Sequence, residues 1–390
     1  MSKLLLSCDN TIYYHNNRYY AKSQDDYDFF QRYLRIFEKI RIVCRCKTES
    51  VLKSSCVPLD DNRIEVVYIS DFHRPKQYLK KYFHIGRELR NVTDGCDCAI
   101  LRLPSTIAFR VGKKVMKAKM PYATEIVYDA IDGINASTNV INKLLWRKID
   151  YDMRMICNKA NGVSCVTEHY LQRRYYSKMN GSFSSNYSSL SLPESFFTSP
   201  RSFPTGNDFI IAHVANQVAF NGRKGINEIL QAINILKNEG IIVKVQFAGK
   251  DYNRGIEKLM NYAQSLGIDE QVEFLGFVDR KRLSDMLNTS AIYVMPTKAE
   301  GLPRVIIEAM AKGLPCISTP VSGNPELLSP HFLVEYSDVR TLADRIKELH
   351  DNKDLYESTS KQNFDNSLKY EASILQKRRD EFYLNLKNCK

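Results

Sequence analysis

The chain has 390 residues, 44% of them apolar and 26% charged, with 56 Lys and Arg against 44 Asp and Glu for a formal net charge of +12. These proportions fit a soluble globular protein too long for one ordinary core, so two domains are expected. No stretch approaches eighteen apolar residues, and residues 1–10 are too short in apolar length for a signal peptide, which argues against a membrane-spanning or exported chain and points to the cytoplasm.

In the first half, strands are predicted at 3–8, 39–46, 63–70, 96–103, 125–131 and 162–167. Between them, residues 25–39, 77–92, 105–119 and 136–160 place apolar side chains at three- and four-residue spacing, as amphipathic helices do. Such βαβ alternation predicts a parallel sheet. Ten cysteines in a chain without an export signal read as reduced thiols. The C-x-C pairs Cys44/Cys46 and Cys96/Cys98 and the seven histidines lack ligand spacing, so neither zinc nor disulfide is expected. Segments 181–191 and 198–206 shift to Ser, Pro and Gly, as a linker does, which puts the boundary near residue 200. The second half repeats the pattern, with strands at 209–214, 243–248, 272–275, 291–296 and 315–319 and helices at 225–239, 254–266, 279–289 and 303–312. A charged, periodic helix follows from 373. The predicted domains are therefore 1–200 and 201–372, with a C-terminal helix over 373–390.

Charge is uneven. Residues 1–200 hold 31 Lys and Arg against 20 Asp and Glu, and residues 201–390 hold 25 against 24. Basic clusters with aromatic neighbours, at 113–119, at Lys80-Lys81-Tyr82-Phe83 and at Arg173-Arg174-Tyr175-Tyr176, suit an anionic bilayer surface. No nucleic-acid recognition motif accompanies them, so no nucleic-acid partner is expected.

Two loops carry the chemistry. The apolar strand 291–296 runs into Glu300-Gly301-Leu302-Pro303-Arg304, where Gly301 and Pro303 turn the chain and a helix runs from Arg304 to a stop at Gly313, with Glu308 one turn inside it. Unpaired backbone N–H groups at such a helix start attract phosphate, and the two carboxylates can accept hydrogen bonds from sugar hydroxyls. Upstream, the strand 209–214 runs into Asn216 and then Arg223-Lys224-Gly225, whose cations suit a diphosphate leaving group. Gly276-Phe277 and Gly249-Lys250 stand at further predicted strand exits on the same edge of the sheet.

The stretch from Glu300 through Glu308 to Asn324-Pro325-Glu326 resembles the donor-site signature of the retaining glycosyltransferase family 4, the group 1 glycosyltransferases. That resemblance implies a GT-B architecture, α/β, with two Rossmann-like domains facing each other across a cleft and the tail helix packing back on the first. It implies that Glu300 contacts hydroxyls of the transferred sugar, that Glu308 holds the ribose, and that Lys224 clamps the diphosphate beside the loop Gly301-Leu302-Pro303-Arg304. The loop at Phe277 is implied to pass the nucleobase through backbone atoms. Asn216 stands where the family usually has Arg, so that either Arg223 takes that part or the clamp is weaker. Ser7-Cys8-Asp9-Asn10-Thr11 replaces a Gly-Gly loop, and Ile131 occupies the position of a His, so Asp132 and Asp129 are the polar groups left near the reacting centre.

The implied activity is transfer of a hexose or N-acetylhexosamine from a UDP or GDP sugar to a glycan or lipid-linked hydroxyl in surface polysaccharide or glycolipid synthesis. Lys224 and the helix start would supply the positive charge in place of a metal ion, at a cytoplasmic or inner-membrane-surface location. A catalytically silent sugar-nucleotide-binding scaffold and a sugar-nucleotide epimerase are the alternative readings.

Overall fold

In the computed structural model, which describes residues 2–72, 75–135, 137, 139–206 and 209–389, the alternation of strands and helices resolves into two separate sheets. They belong to two compact units. The first comprises Met1–Ala130, Leu144–Tyr187 and Gln376–Lys390, and the second comprises Ile131–Lys143 and Ser188–Leu375.

The first unit contains strands β1 (Lys3–His15), β2 (Arg18–Ala21), β3 (Lys39–Thr48), β4 (Val57–Pro58), β5 (Ile64–Ser70), β6 (Cys98–Leu103), β7 (Tyr122–Ile126), β8 (Gly162–Cys165) and β9 (Phe183–Asn186). The run β5-β3-β1-β6-β7-β8-β9 is parallel throughout, and β2 and β4 add antiparallel pairs at one side. Leu4, Leu5 and Leu6 of β1 have no exposed surface, as expected of a strand covered on both faces.

β1 is longer than the predicted 3–8. Its register slips between Ser7 and Thr11, and the strand then continues to His15, where Asn16 and Asn17, with φ of 46° and 61°, turn it back into β2. Two consecutive left-handed residues make the hairpin turn whose twist matches its strands, and Asn tolerates that conformation better than most residues. Residues 9–11, past the predicted strand and at the place of the family's Gly-Gly loop, are therefore strand. β7 also departs, ending at Ile126 instead of 131, so Ile131 and Asp132 lie in the helix that follows. The Ser-rich stretch read as linker contains β9, which pairs with β8. Gly162 has no Cβ because the Phe183 ring occupies that space. The chain leaves the first unit at Tyr187, not near 200.

Helices α1 (Gln24–Gln31), α2 (Pro75–Lys80), α3 (Tyr82–Glu88), α4 (Thr106–Lys117), α5 (Ala130–Asn135) and α6 (Val140–Asn158) connect these strands. The helix predicted over 136–160 is α6, and its predicted first residue, Ala136, lies outside the described residues. Asn139 marks the start of α6, its Oδ1 accepting from Ile141 N at 2.8 Å.

The second unit is a five-stranded parallel sheet in the order β12-β11-β10-β13-β14, built from β10 (Ile210–Val218), β11 (Lys244–Asp251), β12 (Val272–Gly276), β13 (Ile292–Met295) and β14 (Cys316–Ser318). Helices α7 (Ile226–Asn238), α8 (Gly255–Ser265), α9 (Arg280–Thr289) and α10 (Arg304–Ala311) match the predicted spans closely, and α11 (Asn324–Leu327), α12 (Val339–Asp351) and α13 (Lys353–Ser367) were not foreseen. Ile229, Leu230, Ile233 and Leu236 of α7 bury their stripe on Val245, Phe247, Ile292 and Val294 of the sheet.

The last helix, α14 (Ala372–Lys387), reaches the first unit from Gln376 onward. Its Tyr383 hydroxyl donates to Glu125 on β7 at 2.8 Å, and Tyr33 and Tyr187 donate to the same carboxylate at 2.9 and 3.0 Å. Arg102 Nη1 completes the shell at 3.2 Å, so a buried charge is paired and hydrogen-bonded on every side.

Candidate active site

β10 and β13 are parallel neighbours, with β11 and β12 on one side and β14 on the other, so the strand order reverses between them. Ligands of open α/β sheets bind outside the carboxyl ends of the strands at such a reversal. The connections from β10 to α7 and from β13 to α10 both leave the sheet there.

Backbone contacts fasten these connections together. The Arg223 carbonyl accepts from Lys298 N at 2.9 Å and from Thr297 Oγ1 at 3.2 Å. Gly225 has φ of +75° and packs so closely that a Cβ would run into the Pro296 carbonyl. From the β14 side, Thr319 Oγ1 donates to Thr297 O at 2.6 Å and Gly323 N to Gly301 O at 3.0 Å. Asn324 Nδ2 in turn holds the Thr319 carbonyl at 2.9 Å. Ser322, buried with φ of 46°, stores strain at this corner that the surrounding bonds hold in place.

Within this brace the Lys224 ammonium is ion-paired with the Glu300 carboxylate, both side chains being mostly buried. Burial first, then the neighbouring Arg223 charge, lowers the Lys224 ammonium to about 8. Contact with Glu300 acts the other way by favouring the charged form. α10 starts behind Pro303, which gives no side-chain cap, so the first N–H groups of the helix lack a side-chain acceptor. Glu308 lies one turn in, and burial pushes its carboxyl up to about 7 against the opposing charges of Arg304 and Arg280. Two ionisable groups of opposite sign are thus displaced toward neutrality on one loop system, a pattern that marks functional sites.

The remaining predicted residues fall as follows. Gly301, Leu302 and Pro303 are buried in the turn, and Arg304 is exposed at the helix start. Arg223 is exposed. Asn216 is exposed beyond the irregular pairing of β10 with β11 at Val214 and Gln217, inside the extended strand and not in a loop. Gly249 and Lys250, predicted at a strand exit, lie within β11. Phe277 is 65% exposed one residue past β12, and the Lys250 ammonium sits 4.9 Å from its ring centroid. His213 is a neutral strut: it is fully buried, its Nδ1 bonds Val294 O at 2.8 Å, and burial holds it near 4. Asp132 is buried in the first turn of α5. Asp129 accepts from the buried Tyr175 hydroxyl at 2.9 Å, a packing role. Of the basic clusters, Arg174 is paired with Asp150 and Tyr175 is buried, so that one is structural.

The brace residues Thr297 and Thr319 were not singled out from the sequence, although each is a hydrogen-bonding side chain just past an apolar strand, and Asn324, quoted within the signature, was given no part of its own.

The family of glycosyl transferases group 1 matches residues 200–365, a span that holds every candidate on these loops. The match lies on the second unit and carries the likeness to that family. Among its relatives, Protein CapJ of Staphylococcus aureus is 25% identical over 99% of the chain and 96% of its own length. An Escherichia coli protein named UDP-Gal:alpha-D-GlcNAc-diphosphoundecaprenol alpha-1,3-galactosyltransferase is 31% identical over 96 residues, 24% of each chain. Sucrose-phosphate synthase from Thermosynechococcus elongatus superimposes with a TM-score of 0.73 at 15% identity, covering 99% of both chains. That likeness shows the fold, which is GT-B.

Proposed function

We propose that this protein is a retaining group 1 glycosyl transferase that moves a hexose or N-acetylhexosamine from a UDP or GDP sugar to a hydroxyl of a surface polysaccharide or glycolipid precursor. The observation that carries the reading is the Lys224–Glu300 pair set beside the uncapped start of α10, with Glu308 one turn away. Retention is carried over from the family resemblance. The name of the Escherichia coli relative includes a UDP sugar and an undecaprenol-linked acceptor, and an acceptor of that class at the inner face of the membrane is part of the proposal.

Donor binding would exchange partners inside the pair. Lys224 turns from Glu300 to the diphosphate, where it and the helix N–H groups stabilise the charge that grows on the leaving group. Glu300, released, accepts from sugar hydroxyls, and Glu308 accepts from the ribose. Arg223 and Arg304 add charge at the rim, with Asn216, Gly301, Leu302, Pro303 and Phe277 shaping the donor pocket. Asp132 orients or deprotonates the acceptor hydroxyl. No step calls on a metal ion, so EDTA should leave turnover unchanged.

Thermal unfolding against UDP, GDP and their sugars tests the reading. Ligand at about a hundredfold excess over Kd should stabilise by roughly 2.7 kcal/mol. Glu308→Ala should weaken binding of the bare nucleotide, losing on the order of 1 kcal/mol or more, whereas Glu300→Ala should keep it and lose transfer. Equal binding and turnover in both variants and the parent would sink the proposal.

A further inference from the structure

The first unit holds a cavity of about 340 Å³, lined by Asp28, Gln31, Arg32, Leu34, Arg35 and Arg63. The end of α1 and the turn after it supply the first five, and Arg63 stands one residue before β5. β3 begins four residues past Arg35, so both arginines lie at the amino ends of parallel strands. Substrates of open α/β sheets gather at the carboxyl ends. The cavity is therefore on the wrong edge of this sheet to belong to a donor or an acceptor.

Three guanidiniums share its wall with one carboxylate, Asp28, whose Oδ1 accepts from Gln24 Nε2 at 2.7 Å. Asp61 takes one edge of Arg63, accepting from Nε at 3.0 Å and from Nη2 at 2.7 Å. These bonds, with a smaller part from Gln31, hold the Asp61 carboxyl below the usual carboxylate range. Asp380 of α14 takes Arg35 through Nη2 at 3.2 Å. A guanidinium carries five N–H donors, so Arg63 Nη1 and Arg35 Nε and Nη1 remain unspent among the described residues. Arg32 has no ion pair among them at all. Its guanidinium lies 5.5 Å from the ring centroid of the buried Phe29, packing that steadies it without using its donors.

Cations gathered round a concavity raise the local concentration of anions. The volume stands near the lower bound of about 300 Å³ for small-molecule sites, which suits a compact ligand. Guanidinium forks bind both carboxylate and phosphate, but a carboxylate offers two oxygens, enough for one fork, whereas a phosphoryl group offers three and carries more charge. With three forks round one cavity, phosphate is the better match.

We propose that this cavity is a second, non-catalytic anion site, which holds the phosphoryl group of a small phosphorylated metabolite on Arg32, Arg35 and Arg63. An occupant bonded to these side chains links α1, the start of β5 and, through Asp380, α14. It therefore stabilises the first unit from the edge remote from the donor loops. Nothing in this assignment depends on the donor reading, and each can fail alone.

The experiment is calorimetric titration of the full chain with inorganic pyrophosphate, together with thermal unfolding at matched ionic strength. Pyrophosphate also suits the donor loops, so Lys224→Ala serves as the background. That variant should still bind pyrophosphate and melt several degrees higher at about a hundredfold excess over Kd. Adding Arg32→Gln should weaken this binding by about tenfold or more, and Arg32→Lys, which keeps the charge and loses the fork, should fall between. Arg32→Gln alone should melt no lower than the parent without ligand, having no ion pair to lose, and should keep the parent's response to UDP. The proposal is overturned if Lys224→Ala has no pyrophosphate response, if Arg32→Gln leaves the affinity of that background unchanged, or if sodium chloride of equal ionic strength gives the same melting shift.

Discussion

With the parts proposed for them, Lys224 and Glu308 would set a pH window for donor binding. The free protein would bind a diphosphate best with Lys224 charged, which holds below about 8, and accept ribose hydroxyls best with Glu308 ionised, which holds above about 7. Since kcat/KM reports the free enzyme's ionisations, its pH profile should rise through about 7 and fall through about 8. Glu308→Gln should flatten the acid limb alone, and a profile that keeps that limb in the variant would remove Glu308 from the assignment. The sign for stability is the reverse. A carboxyl whose folded pKa lies above its unfolded value contributes stability fully present below the unfolded pKa and lost as pH rises through about 7, so ligand-free protein surrenders some stability where it binds best. Both carboxylates and the lysine were readable in the sequence because the chemistry demands particular side chains at particular distances along the chain. The Lys224–Glu300 pairing was not, because a contact between residues 76 positions apart depends on which strands become neighbours.

Among the elements, α14 is tied to the first sheet by one carboxylate serving three phenols and a guanidinium. Hydrogen bonds to a charged acceptor contribute about 1.5–3 kcal/mol each, so Tyr383→Phe should lower the unfolding free energy of the first unit by roughly that amount. Glu125→Leu should cost more, about 3–5 kcal/mol, because it leaves Arg102 without its buried partner. Denaturant unfolding followed by tyrosine fluorescence reads both, and a Tyr383→Phe protein as stable as the parent would mean the hydroxyl does no holding. The β/α alternation of the second unit could be read to within a few residues, since buried parallel strands and amphipathic helices differ in period. In the first unit the errors share one cause: the β1–β2 hairpin and β9 are strands made by partners, and Asn16-Asn17 was the local turn signal available for the hairpin.

For the whole molecule, the excess of positive charge in residues 1–200 divides once the helices are in place. Lys113, Lys117 and Lys119 are exposed to solvent, whereas the Arg173–Tyr176 cluster is absorbed into packing through Arg174 and Tyr175. Division into units also places weight on the tail. A chain truncated after Leu375 should lose amide-exchange protection in β1, β3, β6 and β7 while its second unit still gains protection from nucleotide. Equal protection of the first sheet with and without the tail would show that α14 is an accessory.

The route of the chain has a consequence during synthesis. Domains are usually finished in the order they leave the ribosome, and here the order is inverted. The strands from β1 to β9 emerge first, yet the helix that supplies Tyr383 to Glu125 is made after all of residues 188–375. Until then the nascent sheet carries an incompletely paired carboxylate and an uncovered apolar face. The first half must wait, exposed to chaperones, for the second half to be translated, and the second half can acquire its shape before the first is complete.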